Sequence, residues 1–177
     1  MFSFVDRADY TIHQELSEWS RVANSNLSQA IEDNSHLRER IQANAGMIAL
    51  IQEGALLQPE DFRGVRSRTL NLQAGAIVTD LGEYIYVDLR ASAPWNITGN
   101  SPLSVRRAAT MLMAQIVRES INKGYGGRVV VDAVGSTADF YRRMGFIETE
   151  AGSAITPEMA LTSEAALYFL YELTGEQ

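Results

Sequence analysis

The sequence predicts an α/β (α+β) fold in which a mixed, mostly antiparallel sheet is flanked by helices. Three stretches carry that expectation. Apolar side chains recur at helical intervals through most of 10–52; Tyr84–Ala91 alternates with the two-residue period of a strand; and 105–134 runs from a helix through a glycine break into a buried strand. At 177 residues the chain is long enough to bury a substantial core, and no internal repeat or evident boundary divides it. A single domain over 1–177 is expected, helix-rich at 1–55 and sheet-bearing at 65–177.

Composition narrows the class. Hydrophobic residues make up 46%, charged ones 21%, and Pro only four, which describes a globular chain rather than a disordered one. No apolar run approaches the roughly 18 residues of a bilayer span, and the start lacks a basic stretch followed by an apolar core, so no membrane association is expected. The absence of cysteine excludes disulfides and a thiol nucleophile and suits a reducing, cytoplasmic setting. A net charge of −7 disfavours a nonspecific nucleic-acid surface and favours a cationic partner such as an amine.

Phe2–Val5 offers a short opening strand. Ile12, Leu16, Trp19 and Val22 define a helix over Tyr10–Ala23, which Asn24-Ser25-Asn26 interrupts. Leu27, Ile31, Leu37, Ile41, Ala45 and Ile48 continue as a second helix to about Gln52, although Met47–Ile51 also fits a strand. Gln58-Pro59-Glu60-Asp61 reads as a turn closed by Gly64. Arg66–Leu72 alternates loosely, Ala76–Thr79 is a compact apolar run, and Asp80-Leu81-Gly82-Glu83 has turn chemistry. The strand Tyr84–Ala91 places Ile85, Val87 and Leu89 on one face, opposite Tyr84, Tyr86, Asp88 and Arg90. Pro94-Trp95-Asn96 forms a rigid turn, since Pro94 lacks a donor. Ile97–Pro102 is a loop, and a helix runs from Val105 to about Asn122. Gly124-Tyr125-Gly126-Gly127 stops that helix; a dinucleotide loop would need the reverse order, strand before helix. Arg128–Val134 is a strand, with a short helix before Phe146; Ile147–Thr149 follows, then a loop through Gly152 to Pro157 and a short strand Met159–Leu161. Thr162 or Ser163 caps a last helix, Glu164 to about Leu173.

Within this order Leu112-Met113, Gly124 and Tyr141-x-x-x-Gly145-Phe146 stand at a distinctive spacing. With those residues Ser104–Phe146 resembles the GCN5-related N-acetyltransferase (GNAT) superfamily, whose members bind acyl-CoA and pass the acyl group to an amine. The resemblance implies a GNAT-like acyl-CoA N-acyltransferase fold, with acetyl-CoA or another acyl-CoA as co-substrate.

It also implies a set of site residues. The family's phosphate loop, Gln or Arg, two residues, Gly, any, Gly or Ala, corresponds here to Ser104-Val105-Arg106-Arg107-Ala108-Ala109, followed by Thr110. Arg107 replaces the first Gly and Ser104 the Gln or Arg. The Arg107 side chain either crowds a phosphate or holds it through charge-assisted hydrogen bonds beside Arg106; the plainer alternative is two solvated arginines at a helix start. Tyr141 matches the family's general acid for the departing thiolate, with Phe140 beside it in the cofactor site; its alternative is a core aromatic packed on Phe140 and Phe146. Val134 and Thr137 stand where the family often has Asn and Ala. Main chain at Leu89, Ala91 and Ser92 would pair with the pantetheine arm, and amides near Leu89–Ala91 would polarise the thioester carbonyl. Trp95 either walls the acyl pocket or simply packs in the core.

The remaining candidates are weaker. Asp88 is the preferred base, with Glu83 and Asp132 as further acids, although each reads more readily as a solvated or paired carboxylate. Glu83, Tyr86, Trp95 and Asn96 would line the acceptor site. His13 and His36 are isolated, with no second ligand at helical spacing, so no metal site is expected. No Gly-x-Ser-x-Gly elbow occurs.

The leading expectation is therefore an acyl-CoA-dependent N-acyltransferase that moves an acetyl or longer acyl group to a primary amine by direct attack. The acceptor is a small molecule or a peptide or protein, and a homodimer is in keeping with the family. The competing expectation is an inactive GNAT-fold binding or scaffold protein. A toxin acylating aminoacyl-tRNA fits poorly with a pI near 4.8.

Overall fold

The computed structural model describes residues 2–30, 35–68 and 70–175. Ile31, expected on the second helix, lies outside them. Among the described residues seven strands form one sheet in the order β1-β2-β3-β4-β5-β7-β6: β1 Ser3–Val5, β2 Phe62–Arg66, β3 Leu72–Asp80, β4 Ile85–Ser92, β5 Val129–Asp132, β6 Ile147–Gly152 and β7 Pro157–Leu161. The helices are α1 Tyr10–Gln29, α2 Ser35–Leu57, α3 Pro94–Thr98, α4 Ala108–Asn122, α5 Ala138–Arg142 and α6 Ser163–Thr174. β4 pairs with β5 in parallel, whereas β1–β2, β2–β3, β5–β7 and β6–β7 are antiparallel. A parallel neighbour demands a long crossover, and α3 and α4 supply it. The chain gathers into two compact units, Met1–Ile77 with Leu89–Leu112, and Val78–Asp88 with Met113–Gln177.

In the first unit Ile12, Leu16, Trp19 and Ala23 of α1 are buried with Ile48, Ile51 and Ala55 of α2 and with Phe62, Leu72, Ala91 and Trp95. The Asp9 carboxylate caps α1 by accepting the Ile12 amide at 2.9 Å. Asn24-Ser25-Asn26 does not interrupt α1. These polar residues cost only about 0.5 kcal/mol each against Ala, and the Ser28 hydroxyl and Gln29 amide bond back to Asn24 and Ser25. Met47–Ile51 is helical, because burial at Ile48, Ile51 and Ala55 follows the helical period. Gly54 lets this helix approach β3 closely: a Cβ there would lie 2.9 Å from Ile77 Cγ1.

Several local expectations change. Gly64 sits inside β2, and Pro59–Asp61 forms a 3-10 turn ahead of it. The loosely alternating Arg66–Leu72 is a reversal, closed by the Ser67 amide on the Asn71 carbonyl. β3 is longer than Ala76–Thr79 and buried continuously from Leu72 to Val78, as befits a strand covered on both faces. Pro94-Trp95-Asn96 opens a short helix rather than a turn. Its missing donor costs nothing in the first turn, and Gly99, at φ 72°, ends it. That helix takes Ile97 and Thr98 out of the expected loop.

In the second unit β4 and β5 pair from Ile85↔Val129 to Val87↔Val131, and β5 pairs with β7 through Asp132↔Glu158. Gly124, at φ 86°, stops α4 where the sequence suggested. Thr162, not Ser163, caps α6 by accepting the Ala165 amide.

Candidate functional site

The approach to α4 is tied down by one buried carboxamide in the first unit. Gln73 on β3 is 0% exposed. Its Oε1 accepts from Trp95 Nε1 at 3.1 Å and from Asn96 Nδ2 at 3.0 Å; its main-chain carbonyl accepts from Asn96 Nδ2 and from the Ala93 amide. Asn96 passes the tie onward, its Oδ1 accepting the Val105 amide at 2.7 Å. The Ser104 hydroxyl donates to the Trp95 carbonyl at 2.6 Å. Trp95, Asn96, Ser104 and Val105, all singled out from sequence, are thus drawn into one network by a glutamine that was not. The readable signal was a lone carboxamide inside the apolar run of β3, which a buried position must satisfy.

The helix itself starts at Ala108, three residues later than its periodicity suggests. Arg107 precedes it at φ 68°, and its carbonyl accepts the Met111 amide, so Arg107 stands at the helix start in a left-handed conformation. For a residue with a Cβ that conformation costs on the order of 1 kcal/mol. Arg107 therefore adopts a backbone geometry that favours glycine. The backbone ladder of α4 opens with the Met111 amide on the Arg107 carbonyl, so the amides of Ala108, Ala109 and Thr110 belong to its first turn, and Arg106 and Arg107 are exposed. First-turn amides, the positive end of a 15-residue helix and two exposed arginines are chemistry that suits an anion.

The end of β4 belongs to the same unit. Ala91 is buried, Leu89 and Ser92 half-buried. The Ser92 main chain is fully engaged: its amide donates to Asn44 Oδ1 at 3.3 Å and its carbonyl accepts from Asn44 Nδ2 at 2.9 Å. Trp95, 9% exposed, meets Trp19 edge to face with centroids 6.4 Å apart.

In the second unit Tyr141 lies on α5, 4% exposed, with its ring centroid 5.2 Å from Phe140 and 5.4 Å from Phe146. Gly145, at φ 93°, turns the chain so that the Phe146 amide reaches the Tyr141 carbonyl. Asp88 is exposed and accepts from the Thr79 hydroxyl at 2.6 Å. The Tyr86 hydroxyl donates to Asp132 at 2.5 Å. Burial first, then this carboxylate, push the Tyr86 phenol well above its usual range, so it stays a neutral donor. Glu83 is exposed in the β3–β4 turn. The structure thus joins Tyr86 to Asp132 and Tyr141 to Phe140.

No protein-family model matches this sequence, and no curated protein does. The fold is nonetheless shared with solved acetyltransferases. A GNAT-family acetyltransferase from Staphylococcus aureus aligns with a TM-score of 0.52 at 11% identity, over 92% of this chain and 99% of its own. One from Listeria monocytogenes gives 0.51 at 12%, over 90% and 94%. The PaiA N-acetyltransferase of Thermoplasma acidophilum, solved with coenzyme A, gives 0.50 at 14%, over 90% and 98%. At such identities the likeness is one of fold: the chain has a GNAT-like fold, as its motif order suggested.

Proposed function

We propose that this chain is an acyl-CoA-dependent N-acyltransferase, moving an acetyl or longer acyl group to a primary amine. The observation that carries the reading is Arg107. A charged residue held at φ 68° immediately before a 15-residue helix is strain maintained at a helix start suited to a pyrophosphate. The chain's own residues fit the carrier: amides of Ala108, Ala109 and Thr110 for one phosphate, and the Arg106 and Arg107 guanidinium groups for its remaining charge.

In this reading the acceptor nitrogen attacks the thioester carbonyl, the C–S bond breaks, and the sulfur leaves as a thiolate. Tyr141 gives that thiolate its proton, and Asp88 receives the proton lost by the acceptor nitrogen. Tyr86 sits on the same strand as Asp88, two residues away, and would face the acceptor. Acceptor charge is supported by the sequence. The second unit holds twelve acids and five bases and the first ten of each, so the entire −7 falls on the unit with Asp88 and Tyr86. Such a surface attracts an ammonium.

Calorimetric titration with CoA tests the reading. Micromolar binding that Arg107→Ala and Arg106→Ala each weaken supports it; no heat at millimolar CoA rejects it. One observation favours the second reading, a GNAT-fold binding or scaffold protein: the Ser92 main chain, which the carrier's arm would pair with, already has both hydrogen bonds. That reading predicts no CoA binding.

A further inference from the structure

Successive residues of an extended strand direct their main-chain polar groups to opposite edges. At the end of β4 the Ala93 amide goes to the Gln73 carbonyl on β3. The Ser92 amide and carbonyl go the other way, to Asn44 on α2, 48 residues earlier in the sequence. This contact is an amide pairing with a strand edge. Oδ1 of Asn44 takes the place of a neighbouring strand's carbonyl and Nδ2 that of its N–H. A side chain thereby caps a main-chain edge that would otherwise present an unpaired donor and acceptor.

Ser92 lies in the same unit as the Arg107 turn, and Asn96, four residues beyond it, holds Val105 ahead of that turn. In the acyl-CoA reading, a ligand with its anionic end at Ala108 lays an amide-bearing arm along β4 and brings an amide to Ser92. There it meets Asn44.

We propose that Asn44 is an internal stand-in for the carrier's arm: its carboxamide occupies the hydrogen-bonding positions on Ser92 that a pantetheine amide would take, and must be exchanged for that amide on binding. The inference rests on the acyl-CoA reading and adds to it a residue that sets affinity. The exchange is nearly isoenergetic, one amide for another, so Asn44 does not prevent binding. It lowers affinity by the free energy of the pair it makes, and it confines that effect to ligands that carry the arm. It also keeps the Ser92 donor and acceptor satisfied when no carrier is bound.

The test is calorimetry on the full chain with two probes, CoA and adenosine 3′,5′-bisphosphate, which keeps the nucleotide and lacks the arm. Asn44→Ala is expected to bind CoA about fivefold tighter, with the bisphosphate unchanged. An unchanged or weaker CoA affinity overturns the proposal, as does an equal change for both probes. If wild type and variant both fail to bind CoA, the transferase reading itself falls. Should Asn44→Ala not fold, the side-chain amide resonances of Asn44 in the wild type provide the readout. CoA is expected to move them to the shifts of a free carboxamide and the bisphosphate to leave them in place; no movement with saturating CoA overturns the exchange.

Discussion

Asn96 Oδ1 holds the Val105 amide at 2.7 Å, two residues ahead of the left-handed Arg107, while Asn96 Nδ2 is anchored on buried Gln73. The conformation of the α4 start is therefore set from β3, through a side chain that spans the intervening loop.

Asn96→Ala removes that strap. It should destabilise the fold by about 1–2 kcal/mol, since it frees the Val105 amide and takes a donor from each of two Gln73 oxygens. CoA affinity should fall with it. Asn96→Asp keeps the acceptor toward Val105 but loses the donor toward Gln73, and should fall between. Urea denaturation and calorimetry measure both effects; an Asn96→Ala protein with wild-type CoA affinity would show that the strap does not position the turn.

Arg107→Gly separates conformation from charge. Glycine occupies φ 68° without a Cβ penalty, so stability should rise by up to about 1 kcal/mol in chemical denaturation. CoA affinity should nevertheless drop if the guanidinium contacts phosphate. A rise in both quantities would assign Arg107 a backbone role only.

Tyr141→Phe keeps the ring contacts with Phe140 and Phe146 and removes only the hydroxyl. As the proposed general acid, Tyr141 predicts a loss of roughly 10²-fold in kcat with KM little changed. Unaltered turnover would leave it a packing residue.

Acid stability reports on a different cluster. The Asp80 carboxylate is held at about 2 by Lys123 at 2.9 Å, with the Gly82 amide and the Tyr125 hydroxyl assisting. A lowered folded-state value means a contribution present above the ordinary carboxylate range near 4 and lost as pH falls toward 2. The cluster is exposed, so water and salt screen it and the effect is small. Asp80→Asn should flatten the fall of the urea midpoint between pH 4 and pH 2 relative to wild type. A parallel acid limb would show that the cluster adds nothing.

The local grammar of the chain was legible wherever burial follows one period. Ile12, Leu16 and Trp19 announced α1, Ile85 and Val87 announced β4, and Gly124 marked the end of α4. Misread stretches were those where weak local preference met a strong tertiary one. Asn24-Ser25-Asn26 continues α1, and Pro94 opens a helix because Gln73 holds Trp95 and Asn96 in place. The site followed the same rule. Ser104–Arg107 could be marked by spacing, but the strap from Asn96 and the clamp of Asn44 on Ser92 join residues 9 and 48 positions apart and leave no periodic trace.

By itself the sequence determined most of the elements and their order, though it began α4 at Val105 rather than Ala108, because helix and strand periods and glycine stops are written in neighbouring residues. The backbone angle of Arg107 and the partners of Ser92 were decided only by tertiary structure. Those depend on which carboxamides the fold buries beside them, and a buried amide takes the hydrogen bond it can reach in space, whatever its distance along the chain.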